Sequence, residues 1–143
     1  MVAVCTSKNK GERKKDVGEA FLREQHGIVG DAHAGPWHRQ VSLLALESIN
    51  RMRTKGWDVK PGDFAENLTT AGIALHTLPV GTLLRIGPDV IGEVTQIGKK
   101  CHAGCAVFQQ VGDCLMPREG IFIKVVKPGR VKKGDRIEVM GGV

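Results

Sequence analysis

Short apolar runs separated by glycine- and proline-containing turns constrain the fold of this chain more than any other feature. Apolar runs rich in β-branched residues occur at Thr82 to Ile86, Val90 to Ile97, Gly120 to Val126 and Ile137 to Met140, and Gly87-Pro88-Asp89 separates the first two. Such runs with frequent turn signals are typical of strands, and the first two predict a hairpin. The sequence therefore predicts a mostly β domain, closed or nearly closed into a barrel, with one main helix and short helical turns.

One segment has the periodicity of a helix. The run from Val41 to Leu46 is apolar except for one serine, which indicates a buried strand or the start of a helix. From Leu46 to Lys55 the residues favour a helix, and Leu46, Ile49 and Met52 recur at a spacing of three. We predict a helix of about three turns there, ended by Gly56.

The first half of the chain gives weaker signals. Val2 to Val4 and Val17 to Leu22 are predicted as short strands, and Phe64 to Thr70 as extended. Lys8 to Lys15 is polar and basic, so we predict a solvated loop. Gly27 to Pro36 holds three glycines and a proline, which predicts a loop without a regular element.

Composition narrows the class of protein. The chain has 143 residues, which predicts a single domain over residues 1–143. The net charge of +6 favours anionic partners, but aromatic residues make up only 4%, so nucleic-acid binding is disfavoured because single-strand binders use aromatic stacking platforms. The sequence suggests neither a signal peptide nor a membrane span, so we expect a cytoplasmic protein with four cysteines used as free thiols, metal ligands or in catalysis.

The densest chemistry lies between Gly98 and Cys105. Cys101 follows Lys99 and Lys100 and precedes His102. Neighbouring positive charge favours the thiolate, which is both the nucleophile and the metal-binding form of cysteine. Cys101 is therefore the leading candidate for a nucleophile or a metal ligand.

An alternative use of the same region is structural. Cys101, His102, Cys105 and Cys114 together form a possible metal-binding or redox module, although their spacing lacks the paired C-x2-C pattern of zinc fingers. Cys105 or Cys114 is also a candidate resolving thiol. Cys5 is expected to be a core or edge residue.

Other candidate binding residues are distributed along the chain. The loop from Gly30 to Gly35 contains Asp31 and His33, and Arg39 follows it with a guanidinium suited to phosphate or another oxyanion. Glu66 and Asn67 lie in a run otherwise expected in the core, so they need either a ligand or an internal hydrogen-bond partner. Arg118 is a further candidate for anion binding.

Four stretches together resemble a known family, the MOSC domain, a module similar to the C-terminal domain of molybdenum cofactor sulfurases. They are Gly30-Asp31-Ala32-His33-Ala34-Gly35 through Arg39-Gln40-Val41-Ser42; Gly62-Asp63-Phe64-Ala65-Glu66-Asn67-Leu68; Leu78-Pro79-Val80-Gly81-Thr82; and Glu93-Val94-Thr95-Gln96 running into Cys101. The resemblance covers roughly residues 20 to 140. It implies a β-barrel of the MOSC type.

The resemblance also implies a function. A MOSC protein is expected to bind the molybdenum cofactor, a molybdopterin, or to deliver sulfur to its metal. The family's cysteine falls on Cys101, which would carry a persulfide or ligate the molybdenum (or tungsten). The pocket for an anionic pterin would be lined by the residues Asp31, His33, Arg39, Glu66, Asn67, Lys100, His102 and Arg118.

The chain departs from larger members of this family. Those members carry a cysteine desulfurase domain with pyridoxal phosphate, for which 143 residues leave no room. Sulfur would then come from a partner cysteine desulfurase or another donor, and the acceptor would be a molybdoenzyme or a cofactor-assembly protein. Whether such a chain has a sulfurtransferase-like activity or only binds the cofactor stays open.

Overall fold

The computed structural model describes residues 1–9, 13–98 and 119–141, and this part of the chain contains eleven strands and one α-helix. The strands are β1 (Ala3–Thr6), β2 (Lys15–Asp16), β3 (Glu19–Arg23), β4 (Gly27–Ile28), β5 (Val41–Ala45), β6 (Leu68–Thr70), β7 (Leu83–Ile86), β8 (Val90–Ile97), β9 (Ile121–Lys127), β10 (Gly129–Lys132) and β11 (Ile137–Gly141). The helix α1 spans Leu46–Thr54, and a 3-10 turn spans Leu75–Thr77. The predicted mostly β class with one main helix is confirmed.

The strands form two sheets. Eight of them pair in the order β11-β7-β8-β9-β5-β6-β1-β2, and β10, β3 and β4 form a smaller sheet. Among the strands of residues 1–9, 13–98 and 119–141, only β5 and β6 pair in parallel, with Leu43 opposite Leu68. Within the described residues, the outer strands β11 and β2 do not pair with each other, so the larger sheet is open. These pairings do not support the predicted closed barrel.

Alternation along the strands produces the main core. On β8, Val90, Gly92 and Val94 are buried while the residues between them are half-buried. Successive side chains on a strand point to opposite faces, so one face of the large sheet is apolar throughout. The buried members of this core are Val4, Leu22, Ile28, Val41, Leu43, Ala45, Leu68, Leu75, Leu84, Ile86, Val90, Val94, Ile121, Ile123, Val125 and Val131.

The helix covers the opposite face of β5 and β9. It begins directly after β5, and its buried Ile49 and Met52 pack with Leu44 of β5 and Phe122 of β9 in a second apolar cluster. The predicted helical face is confirmed. In the described part of the chain, no helix combines the length and the apolar character needed to span a membrane.

Two predictions of local structure were wrong. Gly27–Ile28 forms β4 inside a segment predicted to lack regular structure. This strand exists because it pairs with β3, which is a tertiary effect that local residue preferences do not report. At the predicted extended segment from Phe64, the strand begins only at Leu68, and Ala65 has a positive φ of 63°.

Candidate functional site

Asp31 is the best-connected member of the first predicted binding loop. Its side chain is fully buried, and its Oδ1 accepts from the backbone N–H of Ser7 at 3.1 Å, while its Oδ2 accepts from the backbone N–H of His33 at 3.1 Å. Burial opposes ionisation, but the hydrogen bond and the charge of Lys14, together with these backbone donors, outweigh it and hold the pKa of the carboxyl below its ordinary value. Asp31 is therefore an ionised anchor for the groups around it.

Lys14 is the partner that the sequence did not reveal. Its ammonium group lies 2.8 Å from Asp31 Oδ1, 3.0 Å from Ser7 Oγ and 3.0 Å from His33 Nδ1, and its side chain is fully buried. The prediction of a solvated loop over Lys8 to Lys15 was wrong at this residue. A lysine in a run of basic residues normally lies at the surface, and only the distant carboxylate makes its burial favourable. We call Ser7, Lys14, Asp31 and His33 the Lys14 cluster.

Gly62 fixes the backbone next to the Lys14 cluster. The backbone N–H of Lys14 donates to the carbonyl of Gly62 at 2.9 Å. Gly62 has a φ of +92°, and a Cβ there would lie 2.2 Å from the carbonyl oxygen of Lys14. A side chain at Gly62 would both strain the backbone and push Lys14 out of place. Gly62 thus positions the backbone of Lys14, and with it the Lys14 cluster.

Arg39 is held between two aromatic rings. Its Cζ lies 4.7 Å from the centre of the Trp37 ring and 5.7 Å from that of Phe122. Trp37 is itself fixed, because its indole N–H donates to the backbone carbonyl of His33 at 2.8 Å. The buried Nε of Arg39 finds no hydrogen-bond partner among the described residues. Among the described residues no carboxylate pairs with this guanidinium, which is positioned by stacking, so its charge stays available to an anion.

The same loop contacts the end of β8. His38 Nε2 lies 2.8 Å from Gln96 Oε1, and the Gln96 amide donates to the carbonyl of Gly98 at 2.7 Å. Thr95 donates its hydroxyl to the backbone carbonyl of His38. The backbone N–H of Gly98 also donates to the carbonyl of Gly120 at 2.7 Å. Residues 31–39 therefore adjoin the point where the chain leaves β8 towards residue 99 and returns at residue 119.

Asn67 has a structural set of partners. Its Oδ1 accepts from the backbone N–H of Ser42 at 3.0 Å, and its amide donates to the carbonyl of Cys5 at 3.0 Å. Asn67 thereby joins β5 to β1 beside the start of β6, and it is fully buried. Its predicted contact with a cofactor stays a prediction.

Glu66 is fully buried in a protein interior that disfavours its charge. Burial raises the pKa of its carboxyl to about 7, against the opposing effect of backbone hydrogen bonds from Gly62 and Phe64 and the hydroxyl of Thr69. Its Oε2 accepts from Thr69 at 3.1 Å, whereas its Oε1 has no hydrogen-bond partner within the described residues. Cofactor contact by Glu66 also stays a prediction.

Cys5 is a core residue, as the sequence predicted. It is fully buried, and burial together with the charges of Glu66 and Asp16 raises the pKa of its thiol to about 12. A thiol in that state is a poor nucleophile and a poor metal ligand.

The buried carboxyl of Glu66 predicts a distinct dependence of stability on pH. Its folded pKa of about 7 lies above its ordinary 4.5, so the protonated form is preferred in the fold. Protonated Glu66 therefore contributes fully to the free energy of unfolding below about pH 4.5. This contribution falls by about 3 kcal/mol as the pH rises to about 7. We expect Glu66→Gln to remove this loss, measured as the unfolding free energy in urea at pH 5 and pH 8.

Glu19→Gln is the matched control, since Glu19 is an exposed residue on β3. The control should keep the wild-type difference between the two pH values. An equal pH dependence in Glu66→Gln and wild type would show that Glu66 is not the group that titrates.

Several predicted residues lie outside the described part of the chain. They are Cys101, Lys100, His102 and Arg118 from the cofactor and sulfur site, together with Cys105 and Cys114 from the alternative metal-binding or redox module. Among residues 1–9, 13–98 and 119–141, no group of three or more His, Cys, Asp or Glu side chains could hold a metal ion. The described site therefore consists of the Lys14 cluster and the stacked Arg39.

Sequence reasoning found Asp31, His33 and Arg39 but missed three of their partners. Ser7 and Lys14 gave no signal, because their roles depend on contacts 24 and 17 residues away. Trp37 did carry a signal, since it lies between the candidate binding loop and Arg39 in a chain with only 4% aromatic residues.

This fold and site define a mostly β protein whose loop over residues 31–39 holds a buried carboxylate paired with Lys14, an imidazole and a guanidinium packed against aromatic rings. A family model described as the MOSC domain matches residues 30–138, and the chain belongs to the MOSC domain family. The resemblance inferred from the sequence is thus confirmed.

Solved structures agree on the fold. The YuaD protein from Bacillus subtilis has a TM-score of 0.79 at 21% identity, covering 96% of this chain and 92% of that one. YiiM from Geobacillus stearothermophilus has a TM-score of 0.72 at 17% identity, covering 97% of this chain and 73% of that one. At such identities the likeness concerns the fold alone.

One curated relative is larger. A protein named "Reductase" from Gibberella moniliformis is 24% identical over 153 residues, which cover 92% of this chain and 27% of that protein. This chain therefore corresponds to about a quarter of the length of that relative.

Proposed function

We propose that this chain, as a single MOSC domain over residues 1–143, binds the molybdenum cofactor and carries sulfur in the maturation of molybdenum (or tungsten) enzymes. Membership of the MOSC family supports a link to the molybdenum cofactor. The partners in this proposal are a cysteine desulfurase or another sulfur donor, and a molybdoenzyme or cofactor-assembly protein that receives the product. The reaction takes place in the cytoplasm.

The position of Arg39 between aromatic rings is the strongest support for cofactor binding. A guanidinium stacked between Trp37 and Phe122 is preorganised, so little rotamer freedom is lost when it binds. Its buried Nε without a partner among the described residues is a donor that a ligand oxygen could satisfy. The phosphate of a molybdopterin and the oxygens on its metal are anionic acceptors that fit this donor.

The other predicted binding residues differ in whether their side chains can reach a ligand. The side chain of His33 is 19% exposed, so it can reach a ligand, whereas the side chain of Asp31 is fully buried and acts through Lys14. Glu66 and Asn67 are fully buried, and Asn67 joins β5 to β1. Lys100, His102 and Arg118 complete the proposed pocket, adding positive charge or a donor for the anionic cofactor.

The proposed role of Cys101 is compatible with the described frame. Cys101 is three residues beyond Gly98, so the chain limits the distance between their Cα atoms to roughly 11 Å. Gly98 is linked through Gln96 to His38, in the same loop as Arg39. These contacts support a common site for the Cys101 thiol and the loop that holds His38 and Arg39.

Sulfur loading needs no external oxidant. The Cys101 thiolate attacks the terminal sulfur of a persulfide on the donor cysteine, the donor sulfur–sulfur bond breaks, and the donor leaves as a thiolate. Cys101 then holds the sulfur as a persulfide, and the positive charges of Lys99 and Lys100 favour the attacking thiolate. The cofactor, when bound, supplies a thiophilic metal that can accept this sulfur.

The binding half of the proposal predicts a strong dependence on Arg39. Arg39→Ala removes a charge-assisted hydrogen bond, which is worth about 1.5–3 kcal/mol, so affinity for molybdopterin should fall at least about tenfold. The measurement is equilibrium binding of molybdopterin released from a molybdoenzyme, followed through pterin fluorescence.

Arg85→Ala is the matched control, because Arg85 is an exposed arginine on β7 and its loss changes the net charge equally. The control should bind as the wild type does. If wild-type protein does not bind molybdopterin, or if Arg39→Ala and Arg85→Ala bind equally well, the proposed cofactor site is overturned.

A further inference from the structure

The contacts of Lys14 determine how the His33 ring is protonated. An ammonium group has three hydrogens to donate and no lone pair, so it cannot accept a hydrogen bond. Ser7 Oγ, Asp31 Oδ1 and His33 Nδ1 lie 2.8–3.0 Å from Lys14 Nζ. At 3.0 Å, His33 Nδ1 therefore accepts from Lys14, and in the neutral ring the hydrogen lies on Nε2.

The opposite tautomer conflicts with the same geometry. A hydrogen on Nδ1 would face the ammonium hydrogens of Lys14 across 3.0 Å. Asp31 could otherwise attract that hydrogen, but its Oδ2 is 3.9 Å from Nδ1 and already accepts from the backbone N–H of His33. Lys14 therefore sets the tautomer, and Asp31 holds Lys14 in place.

We propose that Lys14 is a positioning residue that holds His33 as its Nε2–H tautomer, so that this N–H donates to an anionic oxygen of the bound ligand. The inference rests on the proposed function, since it assigns a role within the same cofactor site. The buried Lys14–Asp31 pair is neutral as a unit, so it fixes the His33 donor without adding net charge. Arg39 supplies the charge, and His33 supplies a directed donor.

This arrangement identifies the class of ligand group. A neutral N–H donor binds an ionised acceptor oxygen, as on a phosphate monoester or a metal-bound oxo group, more strongly than an uncharged oxygen. The site therefore favours the phosphate or oxo end of a pterin cofactor over its uncharged ring.

The first test measures the tautomer directly in the wild-type protein without a cofactor. Long-range proton–nitrogen correlation on histidine-labelled protein at neutral pH separates Nε2–H, Nδ1–H and imidazolium forms, and the loss of signals in His33→Gln assigns the residue. His33 should be the Nε2–H form, while His76, an exposed histidine, serves as a reference for an unconstrained ring. A Nδ1–H or imidazolium His33 at neutral pH would overturn the proposal.

The second test changes Lys14. Lys14→Met removes the donor to Nδ1, so the ring should no longer be held as the Nε2–H form, and the Nδ1–H form, which faces Asp31 Oδ2 at 3.9 Å, should become populated. Affinity for molybdopterin should fall at least about tenfold in His33→Phe, which keeps a ring but has no N–H to donate to the charged oxygen. Lys14→Met should lower it by a similar factor, and the double variant should lose little more than either single one.

These tests distinguish a failure of the tautomer proposal from a failure of the proposed function. Additive losses in the double variant would show that Lys14 does not act through His33. An Nε2–H ring in a protein that fails to bind molybdopterin would refute the proposed function and the ligand contact of His33, while the tautomer control by Lys14 would stand. If Lys14→Met does not fold, the wild-type measurement still decides the tautomer.

Discussion

Cys101→Ser should abolish the uptake of sulfur by this protein. A serine hydroxyl does not attack a persulfide sulfur at neutral pH and cannot hold a second sulfur atom, so the expected loss is complete. The wild type, incubated with a cysteine desulfurase and cysteine, should gain one sulfur atom per chain that maps to Cys101. The measurement is intact mass, followed by peptide mapping under non-reducing conditions.

Cys5 provides the control, because its thiol is buried and its pKa is raised. Cys5 is fully buried with its pKa raised to about 12, so Cys5→Ala should load sulfur on Cys101 as the wild type does. Sulfur still mapping to other positions in Cys101→Ser would assign the carrier to Cys105 or Cys114. No gain of sulfur in the wild type would leave the protein as a cofactor-binding domain without a carrier function.

Local elements of this fold could be predicted because their determinants are close in sequence. The hairpin of β7 and β8 combines two β-branched runs with the turn Gly87-Pro88-Asp89, and its antiparallel pairing is confirmed. The strand β5 and the helix α1 follow from one apolar run and one periodic run. In each case the turn signal or the periodicity that indicates the element lies within about a dozen consecutive residues.

The remaining elements depend on partners far away along the chain. The parallel pairing of β5 with β6 joins Leu43 to Leu68, and neither run indicates its neighbour. The short strand β4 exists through its pairing with β3. A barrel was predicted from many short strands, but strand number alone does not determine whether the two outer strands of a sheet meet.

The candidate site shows the same division. Asp31, His33 and Arg39 were predicted from residue chemistry in a glycine-rich loop. Lys14 was not, because a lysine in a basic stretch has no local sign of burial. Its position depends on the ionised Asp31 and on the carbonyl of Gly62, which accepts from the Lys14 backbone N–H at 2.9 Å.

Lys14→Met should therefore be the most destabilising single substitution in the described site. Methionine fills a similar volume but leaves the buried Asp31 carboxylate without its counter-charge, which costs about 3–5 kcal/mol in buried pairs. The unfolding free energy in urea at pH 7 should fall by that amount. Asp31→Asn in the same chain should restore part of it, because the uncompensated charge is then absent.

The direction of the pH dependence separates this cause from a simple packing defect. Lys14 lowers the pKa of Asp31. The stabilisation of the fold by the Lys14–Asp31 pair is therefore fully present above pH 3.8, the ordinary pKa of the carboxyl, and is lost as the pH falls through the lower pKa of the folded protein. The gap between wild type and Lys14→Met should narrow as pH falls towards 4, since Asp31 then protonates readily in the variant. Lys124→Met is the control, because Lys124 forms an exposed ion pair with Glu93 at 3.9 Å, which is worth about 0–1 kcal/mol. If Lys14→Met loses no more stability than Lys124→Met, or if its loss does not change with pH, the Lys14–Asp31 pair does not hold the loop in place.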